Sequence, residues 1–132
     1  MPLIATELAR FSNLVKYELF PEKAHCRTVA VVNEAAAKTY AVGTVLGKVT
    51  ATGKYKIAVQ TAVDGSQTPA ALVLADYSVA ATTDTKVLTL TSGPAGVSKT
   101  ALVLDATYND DTKKGVAYAA LDALGIRVMD AV

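Results

Sequence analysis

The chain has 132 residues, with 13 Lys and Arg against 12 Asp and Glu, and 52% of its residues are hydrophobic. That length suits one compact domain, and that apolar fraction argues against a wholly disordered chain. The near-neutral charge, with bases interleaved among acids, gives no electrostatic footprint for nucleic acid, which needs clustered Lys and Arg. Trp is absent and Phe occurs only at Phe11 and Phe20, so much of the apolar content is Ala and Val. At about 25 cal/mol per Å² buried, such a core gains less per residue than one of Leu and Phe. Oligomerisation is one way to make up the difference.

Met1 to Arg10 has no basic segment leading into an apolar run, so it does not read as a secretory signal. No stretch approaches the roughly 20 apolar residues of a membrane span, and the expectation is a cytoplasmic product without a membrane role. Leu8, Phe11 and Leu14 or Val15 fall at helix-like intervals, but Asn13 and Pro21 interrupt them. Residues 1–22 therefore read as an N-terminal arm, followed by a single β-rich domain over residues 23–132. A short amphipathic helix packed on the domain is the alternative for this segment.

Residues 27–105 read as successive strands, rich in Val and Thr and separated by turn residues. Gly43 to Val59 predicts an antiparallel hairpin turning near Thr52 and Gly53, with Tyr55, Ile57 and Val59 on one face and Lys54 and Lys56 on the other. Asp64-Gly65-Ser66 marks a turn, Pro69 bars a central strand position, and Ala71–Ala75 predicts a buried strand. Thr82–Thr85 breaks the pattern, Val87–Thr91 restores it, Gly93–Gly96 breaks it again, and Ala101–Leu104 predicts one more strand. Beyond these, Val116, Ala117, Ala120, Leu121 and Leu124 share a helical stripe facing the sheet. Asp110 or Asp111 is placed to cap that helix and Gly125 to end it in a left-handed turn. Ile126 and Val128 then resume strand alternation.

The chemical motifs fail on detail. Gly93 to Thr100 resembles a phosphate loop, but Ser98 replaces its second glycine, Pro94 removes an amide, and a strand pattern follows where a helix is required. Cys26 has no second cysteine to bridge, and it adjoins the sole histidine, His25, whose side chain strand alternation would aim the other way. A partly buried thiol beside a surface imidazole is the expectation, with no metal site. Asp64, Asp76, Asp84, Asp105, Asp110 and Asp111 lie mostly in turn contexts, where Asp caps backbone amides. Asn109-Asp110-Asp111 lacks the alternating ligands and closing Glu of a calcium loop. No catalytic, cofactor or metal residue is assigned, and no enzyme activity is expected. A small β module binding carbohydrate or a cell surface remains the alternative function, although such sites favour aromatic platforms and Trp is absent.

Four segments, in order and spacing, resemble the head decoration proteins of tailed bacteriophages, the family of the lambda capsid-stabilising protein. They are Leu14–Glu18, Cys26–Val29, Gly43–Thr50 with Gly53–Lys56, and Ala120–Val128. The resemblance implies a mainly β (α+β), β-clip-like domain of short antiparallel strands with one C-terminal helix and an N-terminal arm. It implies homotrimers, assembled in the host cytoplasm, that bind the major capsid protein on the outside of the expanded head and stabilise it against DNA pressure. It places the capsid contact at Asn13, Leu14, Val15, Lys16, Tyr17 and Glu18, which could equally form an edge strand of the domain itself. Gly93, Pro94, Ala95, Gly96, Val97 and Val128 are candidates for trimer contacts on grounds of expected exposure. No nucleic acid, membrane or cofactor is implied.

Overall fold

The computed structural model describes residues 14–18 and 26–129, and these form ten strands and one α-helix. The fold is mainly β. In chain order the strands are β1 (Val15–Glu18), β2 (Arg27–Val32), β3 (Lys38–Tyr40), β4 (Val45–Lys48), β5 (Tyr55–Ile57), β6 (Pro69–Val73), β7 (Tyr77–Val79), β8 (Thr85–Leu90) and β9 (Ala95–Ser98). A 3-10 turn (Lys99–Ala101), the helix α1 (Asp111–Ala123) and β10 (Ile126–Met129) follow.

Five strands close into a barrel in the order β2-β5-β4-β6-β8. Its longest seam is the antiparallel β2–β8 ladder, running from Arg27 opposite Leu90 to Val32 opposite Thr85. The barrel closes through one parallel pair, Val32 opposite Tyr55, supported by the Asn33 amide donating to the Tyr55 carbonyl at 2.9 Å. The expected β4–β5 hairpin pairs Leu46 with Ile57 and Lys48 with Tyr55, Gly53 supplies the positive φ of its turn, and the return strand ends at Ile57, short of Val59. The strand expected from Ala71 begins at Pro69, a first-residue position where a missing N–H is tolerated.

Two further layers flank the barrel. Strands β1, β9 and β10 form a sheet with β9 in the middle, antiparallel to β1 and parallel to β10. Strands β3 and β7 pair as a two-stranded ribbon. Alternation along β4 and β6 divides the core in two. Val45 and Leu72 point to a cluster with Leu14, Cys26, Leu90, Val97, Leu121 and Ile126. Leu46, Ala71 and Val73 point the other way, to Val32, Tyr40, Val79 and Val87. Strand β6 is therefore buried on both faces, as its apolar run predicts.

The helix begins where Asp110 accepts a hydrogen bond from the Lys113 amide at 2.8 Å, and Gly125 with φ +87 follows its end. Ala117 and Leu121 are fully buried, whereas Val116 is 66% exposed and lies off the stripe assigned to it. The cause is angular: Val116 is 100° of helical rotation from Ala117, beyond the narrow face that β6 and β10 cover.

Three other expectations are corrected. Gly93–Val97 is not an exposed loop, because Ala95–Ser98 is the central strand of its sheet, with Ala95 and Val97 at 1% and 0% exposure. Ala101–Leu104 is not a ladder strand: it leaves the 3-10 turn and makes one isolated bridge, Val103 to Thr44. Cys26 is fully buried, with Sγ donating to the Pro94 carbonyl at 3.6 Å, so the thiol is a core group.

Close backbone crossings leave some glycines no alternative. A Cβ on Gly47 would collide with the Ser66 carbonyl, whereas one on Gly115, inside α1, meets nothing within 4 Å. Gly47→Ala is expected to destabilise the fold by about 2 kcal/mol or more through forced backbone movement. Gly115→Ala is expected to stabilise it by about 0.5–1 kcal/mol through helix propensity alone. Denaturant unfolding of the two variants measures both, and equal effects would show that the crossing is not under steric constraint.

Candidate functional site

The residues expected at a contact surface converge on the β1-β9-β10 sheet. Of the N-terminal set, Leu14 is fully buried, Val15 is 8% exposed, Lys16 is exposed, and Tyr17 and Glu18 pair in β1 with Gly96 and Ala95. Asn13 lies outside the described residues, as does His25. Val15 stands opposite Val97 while Tyr17 stands opposite Gly96, so Lys16 is the extra residue of a bulge. A bulge bends an edge strand and re-aims the side chain it carries. Because β9 is central, β1 has only one paired edge and its other edge is open among the described residues.

The second set is divided by the same sheet. Gly93 and Val128 are half-buried and Pro94 is exposed, while Ala95, Gly96 and Val97 are buried inside the chain. Val128, like Val15, pairs with Val97. With β1 antiparallel and β10 parallel to β9, the chain therefore enters β1 and leaves β10 at one end of the sheet. That convergence could not be read from the sequence, since it depends on which strands pair.

The carboxylates serve local structure. Asp64 binds the Lys56 ammonium at 2.7 Å and accepts from the Ser66 hydroxyl at 2.6 Å and its amide at 3.1 Å. The Lys56 contact foremost, and then Ser66, hold its carboxyl well below the usual carboxylate range. Asp84 accepts from Asn33 Nδ2 at 2.7 Å and pairs with Lys54 at 3.0 Å, and these two contacts lower it in that order. Asp76 accepts from the Val42 amide at 3.0 Å, and Asp105 from the Thr107 amide and hydroxyl at 3.1 and 2.8 Å. Asp64 and Asp105 thus cap amides two residues on, as expected of Asp in turns, whereas Asp76 caps an amide 34 residues away and Asp84 is held by side chains alone.

One buried polar pair had no sequence signal. Glu34, 4% exposed, accepts from the Tyr40 hydroxyl and from the Ile57 amide at 2.8 Å, and its carbonyl accepts from the Thr82 amide at 2.7 Å. These bonds tie the β3–β7 ribbon to the barrel. Burial first, and then the Glu34 carboxylate, push the Tyr40 hydroxyl far above the usual phenol range, so it stays a donor. Nothing in the sequence around Glu34 distinguishes it from a surface glutamate.

The phosphate-loop look-alike is strand β9 followed by the 3-10 turn, with no helix N-terminus after it. Among the described residues no group of three or more His, Cys, Asp or Glu could hold a metal ion. No helix among them is long and apolar enough to cross a membrane. The arrangement offers surfaces and an open strand edge. A family model described as bacteriophage lambda head decoration protein D matches residues 9–126. No curated protein matches the chain.

The aspartate pairs set the acid response. A folded-state pKa below the unfolded value adds stability that is present above about pH 4 and is lost as pH falls through the lowered pKa. The melting temperature is expected to fall below about pH 4, and Asp64→Asn is expected to melt lower than wild type near pH 7 with the gap closing in acid. A pH-independent gap in thermal melts would show that the Asp64 charge is not what Lys56 and Ser66 stabilise.

Proposed function

Because the chain belongs to the bacteriophage lambda head decoration protein family, matched from residue 9 to residue 126, we propose that it works on the outer face of the phage head. In this reading it binds the major capsid protein of the expanded shell as homotrimers, assembled in the host cytoplasm, and stabilises the shell against packaged DNA. The family's role is structural, and this reading assigns the chain no catalysis.

The observation that best supports it is the geometry of the β1-β9-β10 sheet. Among the described residues β1 is an edge strand, and its open edge offers backbone donors and acceptors that an added strand can pair with. Pairing of that kind depends little on side chains. It therefore suits a contact in which Leu14 and Val15 are committed to the core and the β1 backbone from Lys16 to Glu18 forms the docking line, with Asn13, outside the described residues, kept in the proposed contact set. Linking three such contacts in one trimer raises the effective concentration of each remaining arm once the first has docked. Modest single contacts then sum to a large stabilisation of the lattice.

The β1 pairing also fixes where a truncation must stop. Removing residues 1–18 would take Leu14 and Val15 out of the core, whereas removing residues 1–13 leaves β1 whole. The full chain is expected to behave as a trimer in light scattering and to co-sediment with expanded heads but not with unexpanded procapsids. The chain lacking residues 1–13 is expected to remain a trimer and to bind heads at least about tenfold more weakly. A stable monomer that ignores expanded heads would overturn the reading, and full binding by the truncated chain would overturn the placement of the contact.

A further inference from the structure

Among the described residues, the segment after the 3-10 turn has an unused edge. Val103 donates its amide to the Gly43 carbonyl at 2.9 Å and accepts from the Val45 amide at 3.0 Å, so both its backbone groups face β4. Leu102 is extended, with φ −75 and ψ 137. In extended chain the backbone groups of successive residues alternate sides. The Leu102 carbonyl and the Leu104 amide therefore face away from β4, and among the described residues neither makes a hydrogen bond.

That edge opens on a cleft of about 430 Å³ whose walls carry Lys99, Lys114 and Tyr118. The Lys99 ammonium sits 5.3 Å from the centre of the Tyr118 ring, and Lys114 lies four residues before Tyr118, on the same face of α1. Asp105 is the acid of the lining, and its Oδ2 already accepts from Thr107. Val103 adds an apolar side chain that is 44% exposed. An extended edge unpaired among the described residues, an exposed apolar group and two ammonium groups together fit an extended segment with a carboxylate beside an apolar residue.

We infer that the outward edge of Leu102–Leu104 is a second docking strip, which takes an extended acidic segment of the major capsid protein as an added strand. The inference rests on the proposed function and extends it to a surface separate from β1. Two arguments favour the shell over a neighbouring copy of this chain. Lys99 directly follows Ser98, which pairs with Met129, so the strip adjoins the end of the sheet where the chain enters β1 and leaves β10. Residues 1–13, the chain's own segment before β1, carry one acid, Glu7, and one base, Arg10, and so do not complement two lysines.

The test uses the full chain and expanded heads. The double variant Lys99→Glu/Lys114→Glu is expected to stay a trimer with an unchanged melting temperature and to co-sediment about tenfold more weakly, with a shallower salt dependence than wild type. In wild type, amide exchange in the peptide containing Leu104 is expected to slow severalfold when heads are added. Equal binding by the variant, or exchange at Leu104 unaffected by heads, overturns the strip. A variant that loses its trimer assigns the strip to a neighbouring copy and overturns the capsid occupant. Failure of the wild type to bind heads overturns the proposed function itself, and the strip's occupant with it.

Discussion

Strand β9 is the element on which the rest depends. Its four residues hold β1, from near the start of the chain, and β10, from near its end, on either side of one backbone ladder. Closing contacts between segments so distant in sequence costs loop entropy that only the completed sheet repays. The ladder is fixed at its lower end by a crossing: the Gly93 amide donates to Leu124 and the Ala95 amide to Gly125, at 3.0 and 3.2 Å. A side chain on Gly93 would meet the Gly125 carbonyl, so the helix end and the start of β9 can approach only as two glycines. Helix, sheet and both strands from the ends of the chain are thereby locked to one another.

The light core follows from the same economy of side chains. Few large residues are available, and the fold compensates by bringing backbones together at Gly47 and Gly93 and by sharing β4 and β6 between two small clusters. Each cluster alone is small, yet the shared wall removes both faces of β6 from water. The Glu34–Tyr40 pair then occupies the point where ribbon meets barrel. A buried carboxylate there is tolerated because its bonds to Tyr40 and Ile57 replace the water it has lost. A hydrophobic residue in place of Glu34 would fill the space without making those bonds, leaving a buried hydroxyl and an amide unsatisfied.

Periodicity carried the hairpin, the buried β6 and the helix, because each is specified locally. Gly53 and Gly125 mark turns by backbone conformation, and Asp110 marks a helix start by its side chain. What periodicity missed is imposed from a distance. Gly93-Pro94-Ala95-Gly96 has turn composition, and its second half is a strand only because β1 and β10 supply partners on both edges. Lys38–Tyr40 and Tyr77–Val79, three residues each, are too short to show a period and exist as strands through each other. The family was legible because it rests on the order and spacing of four segments together, a signal that survives errors in any one element. The common end of the sheet at which β1 begins and β10 finishes, and the edge of Leu102–Leu104 left open among the described residues, were not legible, since each depends on the pairing of residues far apart in sequence.

A decoration protein meets opposing requirements at its strand edges. An edge that docks must be open, yet an open edge invites pairing with any other. The chain handles the conflict with local charge and shape. The bulge at exposed Lys16 interrupts the register of β1 and so disfavours a long, flat pairing with a stray strand. At Leu102–Leu104 the strip is only three residues long, sits in a cleft, and is flanked by Lys99 and Lys114, which select against basic or uncharged intruders. Short, guarded edges of this kind bind weakly one at a time. In the proposed function they become effective only on a lattice that presents the complementary segments at the spacing of a trimer, and specificity for the assembled shell would then follow from the weakness of each contact.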